Sequence, residues 1–315
     1  MDDIKVTLII SVYNEERSLP KALDSAVFQT LKELEIICVN DGSTDYTSRI
    51  LELYAMKYPN IRIITQGNLG SGNAMNKALL LSHGEYVYIL NARDVLEIDA
   101  LDKMYKMAKR NSSDVVFAPF AVFDDELEFE KNRISNKTFF PIPEYLKEKT
   151  IKPEEIYSIL FDIPPVCWGK LIKKSYLEQN KICFVENLSF KDFLFLIEII
   201  LRAKNIMTLG EVLLYHKKSP KEDYKKMDLF DIYRATEELL KELRAPRSLI
   251  SKFKIHKKNS LVQYYDTILD RNIRFKYRCR LLKIYPEFYF KRIKWTFWKF
   301  YRFSLCSRYG EKWKK

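Results

Sequence analysis

Three short apolar runs in the first 94 residues each open into a polar cluster. Val6-Thr7-Leu8-Ile9-Ile10-Ser11-Val12 leads into Tyr13-Asn14-Glu15-Glu16, and Glu35-Ile36-Ile37-Cys38-Val39 leads into Asn40-Asp41-Gly42-Ser43-Thr44-Asp45. A third run, from Glu85 to Leu90, ends at Asn91-Ala92-Arg93-Asp94. Short apolar runs bounded by turn residues read as buried strands. Between them the pattern predicts helices over 19–29, with Pro20 in the first turn, and over 47–56, with Thr44 or Asp45 as cap. Residues 61–65 read as a short strand, and the glycine-rich stretch 67–72 turns into a helix over 73–82. A helix over 96–110 and a strand over 114–119 follow. Strands alternating with helices at this spacing predict a mostly parallel sheet flanked by helices. Ligands of such sheets sit beyond the carboxyl ends of the strands, where all three polar clusters fall.

The pattern breaks over 120–150, which reads as an irregular insertion or hairpin. A helix over 153–161, the rigid Pro164-Pro165 bend, an apolar helix over 190–204 and an extended run over 206–215 interrupted by Gly210 come next. From Asp228 onward the pattern is helical and charged. Neither an internal repeat nor a low-complexity segment is present.

The chain has 315 residues, 47% of them hydrophobic, enough for a substantial core. Its charge of +12 is unevenly placed. From Pro246 onward 20 Lys and Arg stand against 4 Asp and Glu, a net of +16, while the first 245 residues net −4. That asymmetry points to a polyanion or an anionic membrane face as partner of the tail. The five cysteines include no C-x-x-C pair, so neither a disulfide framework nor a zinc site is expected, and a reducing cytosol fits. The acidic start, leading straight into a strand, does not resemble a signal peptide, and no apolar run reaches the ~18–20 residues of a spanning helix.

The succession of strand ends resembles family 2 of the glycosyltransferases, specifically over the first 95 residues and more loosely over 164–220. The resemblance implies the A-type glycosyltransferase fold: a domain over 1–225, with a nucleotide-sugar half over 1–120 and an acceptor-side half over 121–225. The helical, basic and aromatic extension over 226–315 lies outside it. It also implies inverting transfer of a sugar from a nucleotide diphosphate sugar, a UDP-sugar by expectation, to a growing cell-surface glycan or lipid-linked acceptor. The alternative is a catalytically impaired homologue that binds a nucleotide sugar or a partner.

The family's site residues carry over position by position. Ser11 and Tyr13 match residues that line the base, and Asp41 matches the aspartate that bonds it. Asn76 is kept from the family's Ala-Arg-Asn, but Met75 replaces the arginine that faces the donor. The third loop is usually Asp-Ser-Asp-Asp and holds Mn²⁺ or Mg²⁺ against the diphosphate. Here Asn91 and Arg93 replace the first two carboxylates and leave Asp94 as the sole candidate metal ligand. Arg93 has three readings. It contacts the phosphates itself, in metal-independent transfer; it marks a decayed site; or it pairs on the surface with Asp94 or Glu97. Asp192, in Ser189-Phe190-Lys191-Asp192, matches the catalytic base, with Lys191 in place of a glutamate. Its other reading is a helix N-terminal aspartate favoured by the macrodipole. Trp168, Gly169 and Lys170 match a stretch near acceptor and sugar, with core packing as the other role of Trp168. His216 stands where relatives have an arginine.

Residues 288–303 read Phe-Tyr-Phe-Lys-Arg-Ile-Lys-Trp-Thr-Phe-Trp-Lys-Phe-Tyr-Arg-Phe. On a helix the cations gather on one side and Tyr289, Ile293, Phe297 and Phe300 on the other, a pattern suited to an anionic membrane surface. A packed terminal helix is the other reading. No nucleic-acid module accompanies the segment, so nucleic acid is not expected as a partner. The expected place is the cytoplasm, peripheral on the inner face of the cell membrane.

Overall fold

Strand β1 (Val6–Val12) is the axis of the structure, with every residue buried except the half-buried Ser11. Strands β2 (Leu34–Asn40) and β4 (Tyr86–Asn91) flank it in parallel, and β3 (Ile61–Thr65) extends the sheet beyond β2. Helices α1 (Leu19–Val27), α2 (Thr47–Lys57) and α3 (Ser71–Leu81) make the crossovers. This is the expected alternating half, seen in a computed structural model that describes residues 3–123, 138–139, 146, 148–217 and 226–289. Gly84 lets the turn before β4 lie against β1, since a Cβ there would meet the Thr7 amide nitrogen at 2.4 Å.

Beyond β4 the order departs from simple alternation. The first sheet runs β3-β2-β1-β4-β10-β6-β11-β9. Strand β10 (Lys170–Lys173) enters antiparallel between β4 and β6 (Val115–Phe117). Four residues with two lysines carry too little periodicity to announce a central strand. Strand β11 (Ile206–Thr208) pairs in parallel with β6, and β9 (Thr150–Ile151) closes the edge. A second sheet has the order β5 (Val95–Leu96), β12 (Leu214–Lys217), β7 (Phe120–Phe123), β8 (Thr138–Phe139).

Several boundaries move for tertiary reasons. Val95 and Leu96 join β12 as a strand, so the helix expected over 96–110 begins later as α4 (Ala100–Asn111). The extended run 206–215 is two strands in two different sheets. The helix expected over 153–161 is only α5 (Pro153–Ile156) followed by a 3₁₀ turn at Leu160–Asp162. Helix α6 (Lys174–Gln179) was not expected. The apolar helix forms as α7 (Lys191–Leu201), and α8 (Leu229–Glu242) packs on it through the edge-to-face pair Phe193–Tyr233 and through Arg202, which bonds Glu198 and Glu242.

The chain divides into two compact units, Met1–Phe253 and Lys254–Lys315. Helix α9 (Arg247–Asp266) crosses the division. In the second unit α10 (Arg271–Ile284) begins at Asp270, whose carboxylate accepts from the Ile273 amide at 2.8 Å. Tyr277 of α10 donates to the Leu261 carbonyl at 3.0 Å. Among the described residues, Cys38, Cys167, Cys183 and Cys279 are free, and no helix is long and apolar enough to cross a membrane. Residues 124–137, Lys218, Ser219 and residues 290–303 of the basic aromatic segment lie outside the described residues.

Candidate active site

Parallel register puts three strand ends side by side. Ser11 lies opposite Val39 on one flank and Asn91 on the other, and Val12 lies opposite Asn40. The loops that follow are stitched together. Asn14 accepts from the Thr44 amide at 2.8 Å, the Glu15 amide donates to Thr47 Oγ1 at 2.9 Å, and the Glu16 amide donates to Asp45 at 3.1 Å. Tyr13 stands at this edge with 45% of its surface exposed, so its ring is available to cover a flat ligand.

Asp41 is buried, and both its oxygens are engaged within the protein. Oδ1 accepts from Gln66 Nε2 at 2.9 Å and from the Leu69 amide at 2.7 Å, and Oδ2 accepts from the Gly70 amide at 2.9 Å. The carboxylate therefore shapes the glycine-rich turn leading into α3. Gly42 beside it has φ +75°, and a Cβ there would meet the Asn68 amide nitrogen at 2.8 Å. Asn76, expected on the donor side, spends its amide on the opposing loop. It exchanges bonds with the Phe184 carbonyl and amide at 2.9 and 2.8 Å and reaches Glu186 at 3.0 Å.

In the third loop the Asn91 side-chain oxygen accepts from the Arg93 amide at 3.4 Å. The Arg93 side chain crosses to the first loop, where Nε donates to Glu15 Oε1 at 2.5 Å. The other Glu15 oxygen accepts from Ser18 Oγ at 2.6 Å. Glu15 is the residue that reading by sequence passed over. It stands 78 positions from Arg93, and the only signal was an acid and a base on adjacent strand-end loops.

Asp94 is completely buried. Its Oδ1 lies 2.9 Å from His216 Nδ1 and accepts from the Lys217 amide at 3.3 Å, whereas Oδ2 has no hydrogen-bond partner. Burial pushes this carboxyl up, and His216 acts against that rise. The pairing follows from topology, because β5 comes straight after Asp94 and pairs with β12, which carries His216. The His216 ring stacks on Trp168 at 4.4 Å, and Trp168 meets Phe120 edge to face at 4.7 Å. Trp168 thus packs in the core, with one ring face covered by His216.

A divalent cation fits this donor set poorly. Among the described residues no three His, Cys, Asp or Glu side chains gather into a cage, and the position beside Asp94 is the cation Arg93.

On the other side Lys170 is buried and donates from Nζ to the Val166 and Trp168 carbonyls, at 2.6 and 3.0 Å. Burial pulls its ammonium down to about 8. It pins the loop that carries Gly169, whose φ is +74°. Asp192 is in the first turn of α7, with its buried Oδ1 3.5 Å from Lys191 Nζ and without a hydrogen-bond partner. Burial first, and the Asp192 charge second, raise the Cys167 thiol, whose sulfur lies 3.9 Å from that of Met75. Lys191 also flanks the start of α3, its Cδ 3.1 Å from where a Cβ on Gly72 would sit.

A mostly parallel sheet with its loops clustered at one edge, followed by an antiparallel insertion and a second small sheet, defines the fold of the nucleotide-diphospho-sugar transferases. The chain matches the model of glycosyl transferase family 2 over residues 7–175, more than half its length, and it belongs to that family. It is 32% identical over 220 residues to a cholesterol galactosyltransferase of Borreliella burgdorferi, across 65% of this chain and 59% of that protein. It is also 32% identical over 219 residues to a poly(ribitol-phosphate) beta-glucosyltransferase of Bacillus spizizenii, across 68% of this chain and 32% of the other. The chain therefore spans less than two thirds of either relative. In fold it is similar to S. aureus TarS 1-349, crystallised in complex with UDP-GlcNAc, with a TM-score of 0.62 and 23% identity over 73% of this chain and 65% of that one.

Proposed function

We propose that the chain is an inverting glycosyltransferase that moves a sugar from a UDP-sugar to a growing cell-surface glycan or lipid-linked acceptor. The observation that carries this reading is the meeting at one sheet edge of Tyr13, the wall braced by Asp41, and Arg93 in the loop that begins at Asn91. Sugar transfer by the relatives and the UDP-GlcNAc complex of TarS support it.

Tyr13 covers the base, with Ser11 and Asn91 beside it at the strand ends. Arg93 takes the diphosphate in place of a cation. Its guanidinium carries five N–H donors in a fixed fork suited to phosphate oxygens. Asp94 sets the loop from below through His216 and Lys217. Asp192 accepts the proton of the acceptor hydroxyl as that oxygen attacks the anomeric carbon from the face opposite the departing UDP. Gly169 and Lys170 shape the acceptor side. Residues 288–303 hold the protein at the inner face of an anionic membrane.

A second reading has its own support. Arg93 is already tied to Glu15, Met75 replaces a donor-facing arginine, and Lys191 sits against Asp192. A chain so altered binds a nucleotide sugar without transferring it. A screen of UDP-sugars in EDTA, reading released UDP, separates the two. Release by the wild type and not by Asp192→Asn is expected. Donor binding with no release from any sugar, with or without acceptor lipid, selects the second reading.

A further inference from the structure

Helix α10 carries two apolar stripes. Tyr277 and Leu281, one turn apart, are buried within the second unit. On the opposite side Phe275, Cys279 and Leu282 recur at i, i+4 and i+7. Phe275 is 68% exposed, Cys279 is exposed, and Leu269 in the turn before the helix is 93% exposed. Cations border this outer stripe on both sides. Arg271 and Arg278, seven positions apart, run along one edge, and Lys276 and Lys283, also seven apart, run along the other.

One stripe suffices to pack a helix, and the inner one does so here. The outer stripe has the composition of a helix lying in a lipid interface, an apolar strip between rows of Lys and Arg. The charge agrees. The second unit holds 18 Lys and Arg against 4 Asp and Glu, a net of +14, whereas the first unit nets −2.

We infer that the outer face of α10 docks on an anionic lipid bilayer. Leu269, Phe275 and Leu282 enter the boundary between headgroups and acyl chains, and Arg271, Lys276, Arg278 and Lys283 meet lipid phosphates. Aliphatic Leu269 and Leu282 favour lipid over single-stranded RNA, whose bases are held by aromatic stacking. A like-charged second copy is disfavoured by repulsion. This inference deepens the membrane reading of residues 288–303 but rests on a different segment, and it does not depend on sugar transfer.

The test is sedimentation of the full chain with phosphatidylcholine vesicles, with and without phosphatidylglycerol. Two surface variants are compared, Leu269→Ser/Phe275→Ser and Arg271→Glu/Lys276→Glu, with helix content checked by circular dichroism. The wild type should bind only the anionic vesicles, and more weakly at high salt. The apolar variant should bind at least about tenfold more weakly, and the charge reversal should bind weakest of all. Variants that bind like the wild type overturn the α10 face and leave 288–303 as the anchor. A wild type that ignores anionic vesicles overturns both. A single-stranded RNA oligomer bound in preference to vesicles, or a dimer that the variants turn into monomers, reassigns the face and overturns the lipid proposal.

Discussion

If Arg93 takes the place of a metal, it should decide phosphate affinity and leave base affinity alone. The Arg93→Met variant removes the charge with little change in length. A charged hydrogen bond contributes about 1.5–3 kcal/mol, so UDP should bind roughly 10- to 150-fold more weakly. Part of that loss comes from the Glu15 carboxylate left at the mouth, which repels the diphosphate. The counter-variant Glu15→Gln isolates that part. The Arg93–Glu15 pair is partly exposed, at 27% and 13%, so its own strength falls near the ~0–1 kcal/mol range of such pairs. Freeing Arg93 from that competitor should tighten UDP by roughly two- to fivefold. In the double variant the gain from freeing Arg93 should vanish, and only the part of the loss due to Glu15 repulsion should be recovered relative to Arg93→Met. The assay is calorimetry in EDTA with UDP and with uridine. Uridine lacks phosphates, so its affinity should move by less than about twofold in all three variants. Equal losses for uridine and UDP in Arg93→Met would mean that the variant damages the whole pocket. UDP binding by the wild type that requires Mn²⁺ would refute the arginine-for-metal argument outright.

Three further outcomes are expected. Asp192→Asn should lower sugar turnover by about 10²–10⁴-fold while UDP affinity, read by the same calorimetry, stays at the wild-type value; retained turnover would remove Asp192 from the base role. Lys170 titrates at about 8 in the fold, below the ~10.4 of an unfolded lysine, so the unfolded chain binds more protons between those values. Stability should therefore rise by up to roughly 3 kcal/mol from about pH 8 to about pH 10.4, and denaturant melts of Lys170→Met should lack that slope. Gly84→Ala should cost at least about 1–3 kcal/mol in the same melts, because its Cβ would press on the backbone of β1, whereas Gly67→Ala, with open space around it, should fall within about 0.5 kcal/mol of wild type.

The first half of the fold was legible in the order of residues alone. The strands around Ile9, Ile37 and Tyr88 are apolar on both faces, and only a helix-covered sheet buries such runs. Their polar ends had to share an edge because the strands are parallel and short crossovers join them. The departures in the third loop were equally plain, since replacing two carboxylates with Asn91 and Arg93 changes charge whatever the packing. What those residues touch depends on how distant segments pack together. Strand β10 comes from a short run of mixed character, and its place between β4 and β6 depends on partners far away in the chain. The pairing of β5 with β12 brings His216 over Asp94 across 122 positions, and stitching of the first two loops brings Glu15 to Arg93. Asp41 is buried, and its carboxylate finds its donors in Gln66 and in the amides of Leu69 and Gly70, more than 20 positions along the chain. Alternation and periodicity report which face of an element is buried. The partner of a polar side chain is set by register and loop closure, which local sequence does not encode.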